Sequence, residues 1–310
     1  MIDFSKTNTF DLTIRNKIIS NGHYAQIAYN ERVDEETGEI YSKKALKDTN
    51  SGIILNVKNK RTEILLKPHH KFNNGLHNAN DFSINNCVEV YNEYIESLNL
   101  STVEIKALPI VNAEFKIDIV PDPRICDALE FIDMYLGFHE KKAFRNIDEN
   151  RYFKIACSNG FSKHKQIKCY AKGFQYPDFS HPNRLRFEIT SRKQDFLKQL
   201  DIRNLFSFTK FETYERICEC LMREFESLLI LEPIEVDYKN ITSEMIQKLN
   251  YSNPNFWKKI INSNNRNSFS RHKKNYENLL ANQLTIKNYL KSLIVEKINF
   301  YKKGAICPLQ

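Results

Sequence analysis

Three short segments of this sequence alternate apolar and polar residues with the two-residue period of a β-strand. They are 114–119 (EFKIDI), 167–172 (IKCYAK) and 184–189 (RLRFEI). In each segment the apolar side chains point to one face and the polar side chains to the other, so each strand has one face suited to a core. We therefore expect an antiparallel sheet with these three strands at its centre and helices covering the apolar face.

The polar faces of two of these segments carry a charged set of side chains. They are Lys168, Tyr170 and Lys172 from one strand, and Arg184, Arg186 and Glu188 from the next. A tyrosine between lysines and a glutamate beside arginines, on one solvated face, are the parts of a site that cuts phosphodiesters with a tyrosine. Two plainer interpretations stay open: a solvated face with a chance Lys-x-Tyr-x-Lys pattern, and simple ion pairs such as Arg186–Glu188 and Lys116–Asp118.

The rest of the sequence predicts an α+β protein in three parts. Residues 1–66 contain short β-type runs, including 11–14 and 52–57, separated by polar turns such as 34–39. Residues 67–237 contain the three alternating strands and three predicted helices. One helix spans 83–98, one opens at Asp122-Pro123, and one follows a capping box at Thr209 and Glu212 and runs to about Leu228. The composition shifts to Asn, Lys and Ser near Tyr238, so 238–310 is predicted to be a smaller, basic, helical part.

Positive charge is concentrated at the C-terminal end. From Tyr251 onward there are eleven Lys and Arg against two Glu, a surplus of nine, while the whole chain has a net charge of +8. A basic end on a nearly neutral body favours a polyanionic partner, most often nucleic acid. A lysine-rich solvated surface is the alternative.

Two further features bear on ligands and compartment. The segment 69–82 holds three histidines and four asparagines with no period, which predicts a loop: foremost a hydrogen-bonded surface loop, with metal or phosphate binding by the histidines as the alternative. The seven cysteines show no C-x-x-C spacing, and the sequence has no signal peptide and no long apolar run. A cytoplasmic protein with reduced thiols, no zinc site and no membrane span is therefore expected.

Several of these segments, taken in order, resemble the replication-initiation proteins of filamentous phages of the gene II type, which are related to rolling-circle plasmid initiators. The segment 70–78 (HKFNNGLHN) is similar to K-F-x-x-G-H-N, and 115–119 to R-[VI]-D-[IL]-T. The segment 167–173 is similar to l-k-x-Y-x-K-G, and 184–189 with the following 196–198 to L-R-F-E-[VI] and its trailing helix. A weaker match joins Phe256-Trp257 to 269–274 (FSRHKK).

The chain departs from the family pattern at three positions. An extra Leu76 stands between glycine and histidine, Lys116 replaces an arginine, and Val120 replaces a threonine. The matches extend from about residue 63 to residue 280, which leaves the first sixty residues without a counterpart.

The resemblance implies a nickase/relaxase-like fold and an enzyme that nicks and rejoins DNA at a rolling-circle origin. Tyr170 matches the tyrosine that attacks the scissile phosphate and becomes linked to a 5′ phosphate. Asp118 and Glu188 match the acidic residues that hold Mg²⁺ or Mn²⁺. The implied partners are origin DNA, single-stranded or supercoiled, and the host helicase and polymerase.

Elementary chemistry agrees with these roles. A phenol with a pKa near about 10 is a poor nucleophile, and Lys168 and Lys172 are expected to favour its ionisation. His77 or His69 is expected either to add a nitrogen ligand to the metal or to contact a phosphate. The residues expected to meet DNA phosphates are Lys71, Arg184, Arg186, Arg266, Arg271, Lys273 and Lys274. Tyr152 and Tyr176 are further tyrosines, and Tyr176 could serve as a second acceptor.

Two other function classes were compared with the enzyme. A non-catalytic origin-binding or regulatory protein of the same fold would share the basic end, but the presence of Tyr170, Asp118 and Glu188 favours the enzyme. An RNA-binding sheet requires exposed aromatic side chains on neighbouring strands, and the sequence lacks such a pair.

Overall fold

One antiparallel sheet organises the molecule. The computed structural model describes residues 1–33, 40–146, 153–156, 164–191, 193–234, 241–263 and 267–303. In these residues the sheet has twelve strands: β1 (Ile2–Thr9), β2 (Tyr24–Val33), β3 (Ile40–Asp48), β4 (Ile54–Lys58), β5 (Thr62–Leu66), β6 (Ile110–Ile119), β7 (Leu136–His139), β8 (Lys142–Asn146), β9 (Phe153–Ala156), β10 (Lys165–Ala171), β11 (Leu185–Ser191) and β12 (Leu228–Ile230). Their order across the sheet is β12-β7-β8-β9-β10-β11-β6-β1-β5-β4-β3-β2.

The three strands predicted from alternation are neighbours at the middle of this sheet. β11 lies between β10 and β6, and both pairs are antiparallel. The first strand of the chain, β1, lies between β6 and β5, so the segment 1–66 continues the same sheet. The division into 1–66, 67–237 and 238–310 stays a prediction, and its boundary near Tyr238 falls outside the described residues.

Helices cover the apolar face, as the α+β prediction requires. In the described residues they are α1 (Leu12–Asn21), α2 (Pro68–Phe72), α3 (Ile84–Leu98), α4 (Thr102–Lys106), α5 (Ala128–Glu130), α6 (Lys172–Gln175), α7 (Gln194–Gln199), α8 (Phe211–Glu226), α9 (Ser243–Ser252), α10 (Pro254–Asn262), α11 (Ser268–Leu279) and α12 (Ile286–Lys303). Ile117, Ile167 and Phe187 of the sheet share one core with Ile217 of α8 and Ile294 of α12. The predicted fold class is confirmed.

Local signals predicted some helices well and misplaced others. The helix at 83–98 is confirmed as α3, and the Ser83 side chain caps it together with Asn86. The run 11–14 was expected to form a strand, and this prediction is wrong. The Asp11 carboxylate accepts from the amides of Thr13 and Ile14, so α1 begins there.

Two predicted helix starts are also wrong. The Asp122 carboxylate accepts from Arg124, and the helix begins at α5, where the Asp127 carboxylate accepts from the amides of Leu129 and Glu130. A π-helical turn, Phe131–Tyr135, follows α5. The helix α8 is confirmed, but the Thr209 hydroxyl donates to the Phe206 carbonyl in a 3₁₀ turn, so the expected capping box does not form.

The C-terminal helices α9 to α11 pack around a second, smaller core. Trp257 is fully buried there, and its indole Nε1 donates to the Tyr251 carbonyl at 2.6 Å. The segment 266–274 was predicted to lie between two helices, but residues 268–274 lie within α11, where Phe269 packs into this core together with Tyr276 of the same helix. In the part of the chain that is described, no helix is both long and apolar enough to cross a membrane.

Candidate active site

The polar faces of β10, β11 and β6 meet in two rows across the sheet. In one row Lys168 pairs with Glu188 and Glu188 with Lys116. In the next row Tyr170 pairs with Arg186 and Arg186 with Asp118. Residues that face one another in an antiparallel ladder point to the same side of the sheet, so this register brings the predicted site residues together.

This polar face is buried, which corrects the expectation of a solvated face. Lys116 is 2% exposed, Arg186 0% and Glu188 2%. The segment 67–83, which includes α2, covers it: Lys116 Nζ contacts His69 Nδ1 at 2.6 Å and donates to the Asn78 carbonyl at 3.2 Å. The predicted histidine loop is thus the lid over the polar side of the sheet.

A pocket remains open at one side of this covering segment. Its volume is about 480 Å³, and Asp3, Glu114, Tyr170, Lys172 and Glu188 line it together with His70. Four of these six residues belong to the polar face of the central strands or of β1, and each is buried or half-buried. The pocket therefore gives solvent access to several of the predicted site residues.

Asp118, a predicted metal ligand, lies in a buried ion-pair network. Arg186 donates to both of its oxygens, at 2.6 and 2.8 Å, and Lys116 Nζ lies 3.1 Å from Oδ2. Burial by itself would raise the pKa of Asp118, but the charges of Arg186 and Lys116 outweigh it and hold the pKa well below its usual range. Both oxygens of Asp118 therefore have cationic partners within the protein.

Three other carboxylates converge in the pocket. Atoms of Asp3, Glu114 and Glu188 lie within 4.8 Å of one another. Burial and the neighbouring Glu188 charge raise the pKa of Glu114, which is the expected result of crowding like charges. Asp3 Oδ1 is buried and has no hydrogen-bond partner among the described residues. Oxygen ligands of this kind suit Mg²⁺ or Mn²⁺, so this set fits a divalent cation.

Sequence reasoning selected one member of this set, Glu188, and missed two. Glu114 was visible as the first polar residue of the alternating segment 114–119. Asp3 lies in the part of the chain without a family counterpart, and it reaches the site only because β1 pairs with β6. No local sequence signal reports that pairing.

Tyr170 contacts this carboxylate set directly. Its hydroxyl donates to Glu188 Oε2 at 3.0 Å, and Arg186 Nη1 lies 3.5 Å from it. Burial and the negative charge of Glu188 raise the pKa of Tyr170 well above its usual value. This shift is opposite to the one expected from flanking lysines, because burial disfavours the phenolate and Lys168 is bound to the carboxylates.

Lys168 is bound to the carboxylates rather than to the phenol. Its Nζ lies 2.6 Å from Glu188 Oε1 and 2.9 Å from Glu114 Oε1. Burial opposes the charge of Lys168, but Glu188 and Glu114 outweigh it and raise its pKa. Lys168 therefore offsets part of the charge of the crowded carboxylates.

Lys172 is the first residue of α6 and is fully buried. Its Nζ donates to Asn78 Oδ1 at 2.6 Å and to Gln175 Oε1 at 2.7 Å. Burial, reinforced by the charge of Arg186, disfavours the ammonium form and lowers the pKa of Lys172 to about 6. The same Nζ lies 4.5 Å from the ring centre of Tyr176, which is half-buried at the pocket rim.

The glycine that follows Lys172 is required by close packing. A Cβ at Gly173 would lie 2.2 Å from the Pro182 carbonyl oxygen and 2.3 Å from the His181 carbonyl oxygen. The Lys-Gly pair therefore lets the 181–182 turn approach the end of β10, which holds Lys172 in the pocket wall.

The histidines of the covering segment are engaged within the protein. His69 is fully buried between Lys116 and Asn80, and burial together with the Lys116 charge lowers its pKa to about 3. His77 stacks on Phe179 with ring centres 4.3 Å apart, and its Nδ1 accepts from the Ala79 amide. Among the described residues, the group of possible metal ligands is Asp3, Glu114 and Glu188, and His77 does not belong to it. For His69, the hydrogen-bonded interpretation of this loop fits the structure.

The residues predicted to meet DNA differ in their accessibility. Arg186 is fully buried, Arg184 pairs with Asp81 at 3.1 Å, and Lys71 pairs with Glu93 at 3.0 Å. On α11, Arg271 and Lys274 are exposed. Lys273 donates to the Ser227 carbonyl at 2.7 Å, and burial lowers its pKa to about 8. Arg266, like Tyr152, lies outside the described residues.

The chain was compared with known proteins and structures. The sequence matches no protein-family model and no curated protein. Its fold is similar to the solved structure of the rolling circle replication initiator protein from Geobacillus stearothermophilus, with a TM-score of 0.42 and 11% sequence identity over 85% of this chain and 95% of that chain. The function is therefore inferred from this chain's own residues.

Proposed function

We propose that this protein initiates rolling-circle DNA replication by nicking and rejoining DNA at an origin through Tyr170. The observation that carries the proposal is the hydrogen bond from the Tyr170 hydroxyl to Glu188, a carboxylate that also belongs to the three-carboxylate set of an open pocket. A nucleophile, a base and a cation-binding set within one pocket are the components of phosphodiester transfer. The five motif matches of the sequence point to the same chemistry.

The proposed step exchanges one phosphoester bond for another. Glu188 accepts the Tyr170 proton as the phenol oxygen attacks phosphorus, because the raised pKa of Tyr170 keeps the free phenol protonated. The P–O bond to the 3′ oxygen breaks, the 5′ phosphate stays on Tyr170, and the proton passes to the departing 3′ hydroxyl. The reverse sequence rejoins the strand, so no external energy source is needed.

The cation-binding role is assigned to Asp3, Glu114 and Glu188 in place of the expected set of Asp118, Glu188 and His77. These carboxylates would hold Mg²⁺ or Mn²⁺, which would supply positive charge to the phosphate under attack. Asp118 is proposed instead to be a positioning residue, since it holds Arg186 next to the Tyr170 hydroxyl. Lys172, whose Nζ donates to Asn78 and Gln175 in the pocket wall, is proposed to exchange protons with the reacting groups.

The direct test uses a pool of random-sequence single-stranded oligonucleotides labelled at the 3′ end, incubated with the protein and Mn²⁺. A 5′-phosphotyrosyl linkage retains the label, so a labelled protein band on a denaturing gel is expected, with the modified peptide containing Tyr170. Supercoiled DNA carrying the selected sequence should then be nicked. A labelled peptide containing Tyr176 would overturn the assignment of Tyr170, and the absence of any adduct would overturn the nicking activity.

A non-catalytic DNA-binding protein is the second candidate. The observation that favours it is the buried ion-pair network of the sheet, in which Asp118 pairs with Arg186 and Lys116 and Arg186 also pairs with Asp3, as in a site kept only for stability. In that case the oligonucleotide pool would be bound without a covalent product, with or without Mn²⁺.

A further inference from the structure

A second pocket lies on the other side of His70. Its volume is about 460 Å³, and it is formed by the turn between β3 and β4 and by the segment 67–75. His70 lines both this pocket and the candidate active site. The two pockets therefore adjoin at His70.

The lining of this second pocket is basic. It includes Lys47, Lys67 and Lys71 beside His70, and among the residues that the structure describes no Asp or Glu lines it. Lys47 and Lys67 are exposed and form no ion pair with any residue that the structure describes, whereas Lys71 is held by Glu93 at 3.0 Å. The two ammonium groups of Lys47 and Lys67 on one concave surface create a positive potential that favours an anionic ligand.

Asp48 follows Lys47 in the sequence, but its carboxylate does not line this pocket. Asp48 is 5% exposed, and its oxygens accept from the amides of His23, Asn50 and Ser51 within 3.0 Å. Burial would raise the pKa of Asp48, but these hydrogen bonds outweigh it and lower the pKa. The Asp48 carboxylate is thus bound to the backbone amides of the turn, so the lysine charges stay available to a ligand.

We propose that this second pocket binds the backbone phosphates of the nucleotides next to the scissile phosphate, in a single DNA strand. The inference rests on the proposed function for the identity of the strand, but it adds a binding site formed by Lys47, Lys67 and His70. A single strand carries one phosphate per nucleotide, so a strand anchored at Tyr170 presents its next phosphates to neighbouring surfaces. The shared wall at His70 makes this pocket the adjoining basic surface.

The test removes two charges without touching the candidate active site. In a Tyr170→Phe background, which prevents cleavage, Lys47→Gln and Lys67→Gln are combined, and binding to a fluorescein-labelled single-stranded 20-mer is followed by anisotropy at several salt concentrations. We expect affinity to fall about threefold to tenfold at 0.1 M salt, and the slope of log K against log salt to decrease by about 1.4, for two phosphate contacts at about 0.7 each.

The matched control is Lys106→Gln with Lys210→Gln, which removes two exposed charges that line neither pocket. It should leave affinity and salt slope nearly unchanged. Equal losses of affinity in both double variants, or no loss of affinity in the Lys47/Lys67 variant, would overturn the assignment of this pocket as a phosphate-binding site. Unfolding curves of both variants should match the parent protein because all four lysines are exposed.

The two proposals fail in different ways. If the protein with Tyr170 forms the phosphotyrosyl adduct but the Lys47/Lys67 change leaves binding intact, the pocket assignment is wrong and the nicking function stands. If no adduct forms but the Lys47/Lys67 change weakens binding, the nicking function is wrong and the pocket remains a nucleic-acid site.

Discussion

The Tyr170 hydroxyl is the single group on which the proposed chemistry depends. Tyr170→Phe removes that oxygen and its bond to Glu188 while keeping the ring, so we expect nicking to fall by several orders of magnitude with DNA binding nearly unchanged. Adduct formation on a denaturing gel measures the first and anisotropy the second. Tyr176→Phe, at the rim of the same pocket, is the matched control and should keep most activity. Full activity in Tyr170→Phe would refute the assignment.

Glu114 tests the cation-binding set at the residue scale. Glu114→Gln removes one anionic ligand but keeps the shape, and Glu114 is only half-buried, so folding should survive. We expect the Mn²⁺ dissociation constant, measured by calorimetric titration without DNA, to rise at least about tenfold. The control Glu89→Gln changes an exposed carboxylate on α3 and should not affect it. Unchanged Mn²⁺ affinity in Glu114→Gln would exclude Glu114 from the set.

Asp118 is expected to contribute to the free energy of unfolding. Asp118→Asn leaves Arg186 buried with its principal counter-charge removed, and breaking a buried ion pair on one side costs about 3 kcal/mol or more. Urea unfolding measures this loss. A variant that unfolds like the parent protein and instead needs more Mn²⁺ for activity would restore Asp118 as a metal ligand.

At the scale of elements, a buried carboxylate on α8 ties this helix to the sheet. Glu224 accepts from His139 of β7 at 3.0 Å and pairs with Lys165 of β10 at 2.5 Å. Burial alone would raise the pKa of Glu224, but these partners outweigh it and lower the pKa from 4.5 to about 2. A carboxylate with a lowered pKa stabilises the fold above its unfolded pKa, and this stability is lost as pH falls toward the folded pKa.

Glu224→Gln is therefore expected to reduce the free energy of unfolding by about 2 kcal/mol at pH 7. This is less than the full pKa shift of Glu224 implies, because solvent screens part of the interaction. The difference from the parent protein should shrink between pH 4.5 and about 2, where Glu224 becomes protonated. Urea unfolding at pH 7, 5 and 3 measures it. Glu219→Gln, an exposed change on the same helix, should have a small effect throughout. A difference independent of pH would contradict the charge-based account.

At the scale of the whole molecule, the basic helical end is expected to supply affinity for DNA without sequence preference. Arg271 and Lys274 are the exposed cations of α11, so Arg271→Gln with Lys274→Gln should weaken binding to all duplexes alike and lower the salt slope by about 2. Anisotropy with origin and unrelated duplexes measures this. Lys273→Gln should chiefly reduce stability, because Lys273 is bonded to the Ser227 carbonyl. If only binding to the origin were lost, α11 would instead recognise the base sequence.

The sequence by itself determined the main layers of the fold. Alternation at 114–119, 167–172 and 184–189 predicted three neighbouring strands and their apolar sides, and the helices α3 and α8 were predicted from their apolar stripes. These features depend on the period of side chains along one strand or helix, which is a local property. For the same reason the sequence selected Tyr170, Lys168, Lys172 and Glu188, which share one pocket.

Only the tertiary structure decided what these residues do to one another. The register of β6 against β11 places Asp118 opposite Arg186, and the pairing of β1 with β6 brings Asp3 to Glu114 and Glu188. The lid formed by the segment 67–83 buries the polar face, so the pKa of Tyr170 rises where flanking lysines predicted a fall. Register and burial come from contacts between segments far apart in the chain, and no local period reports them.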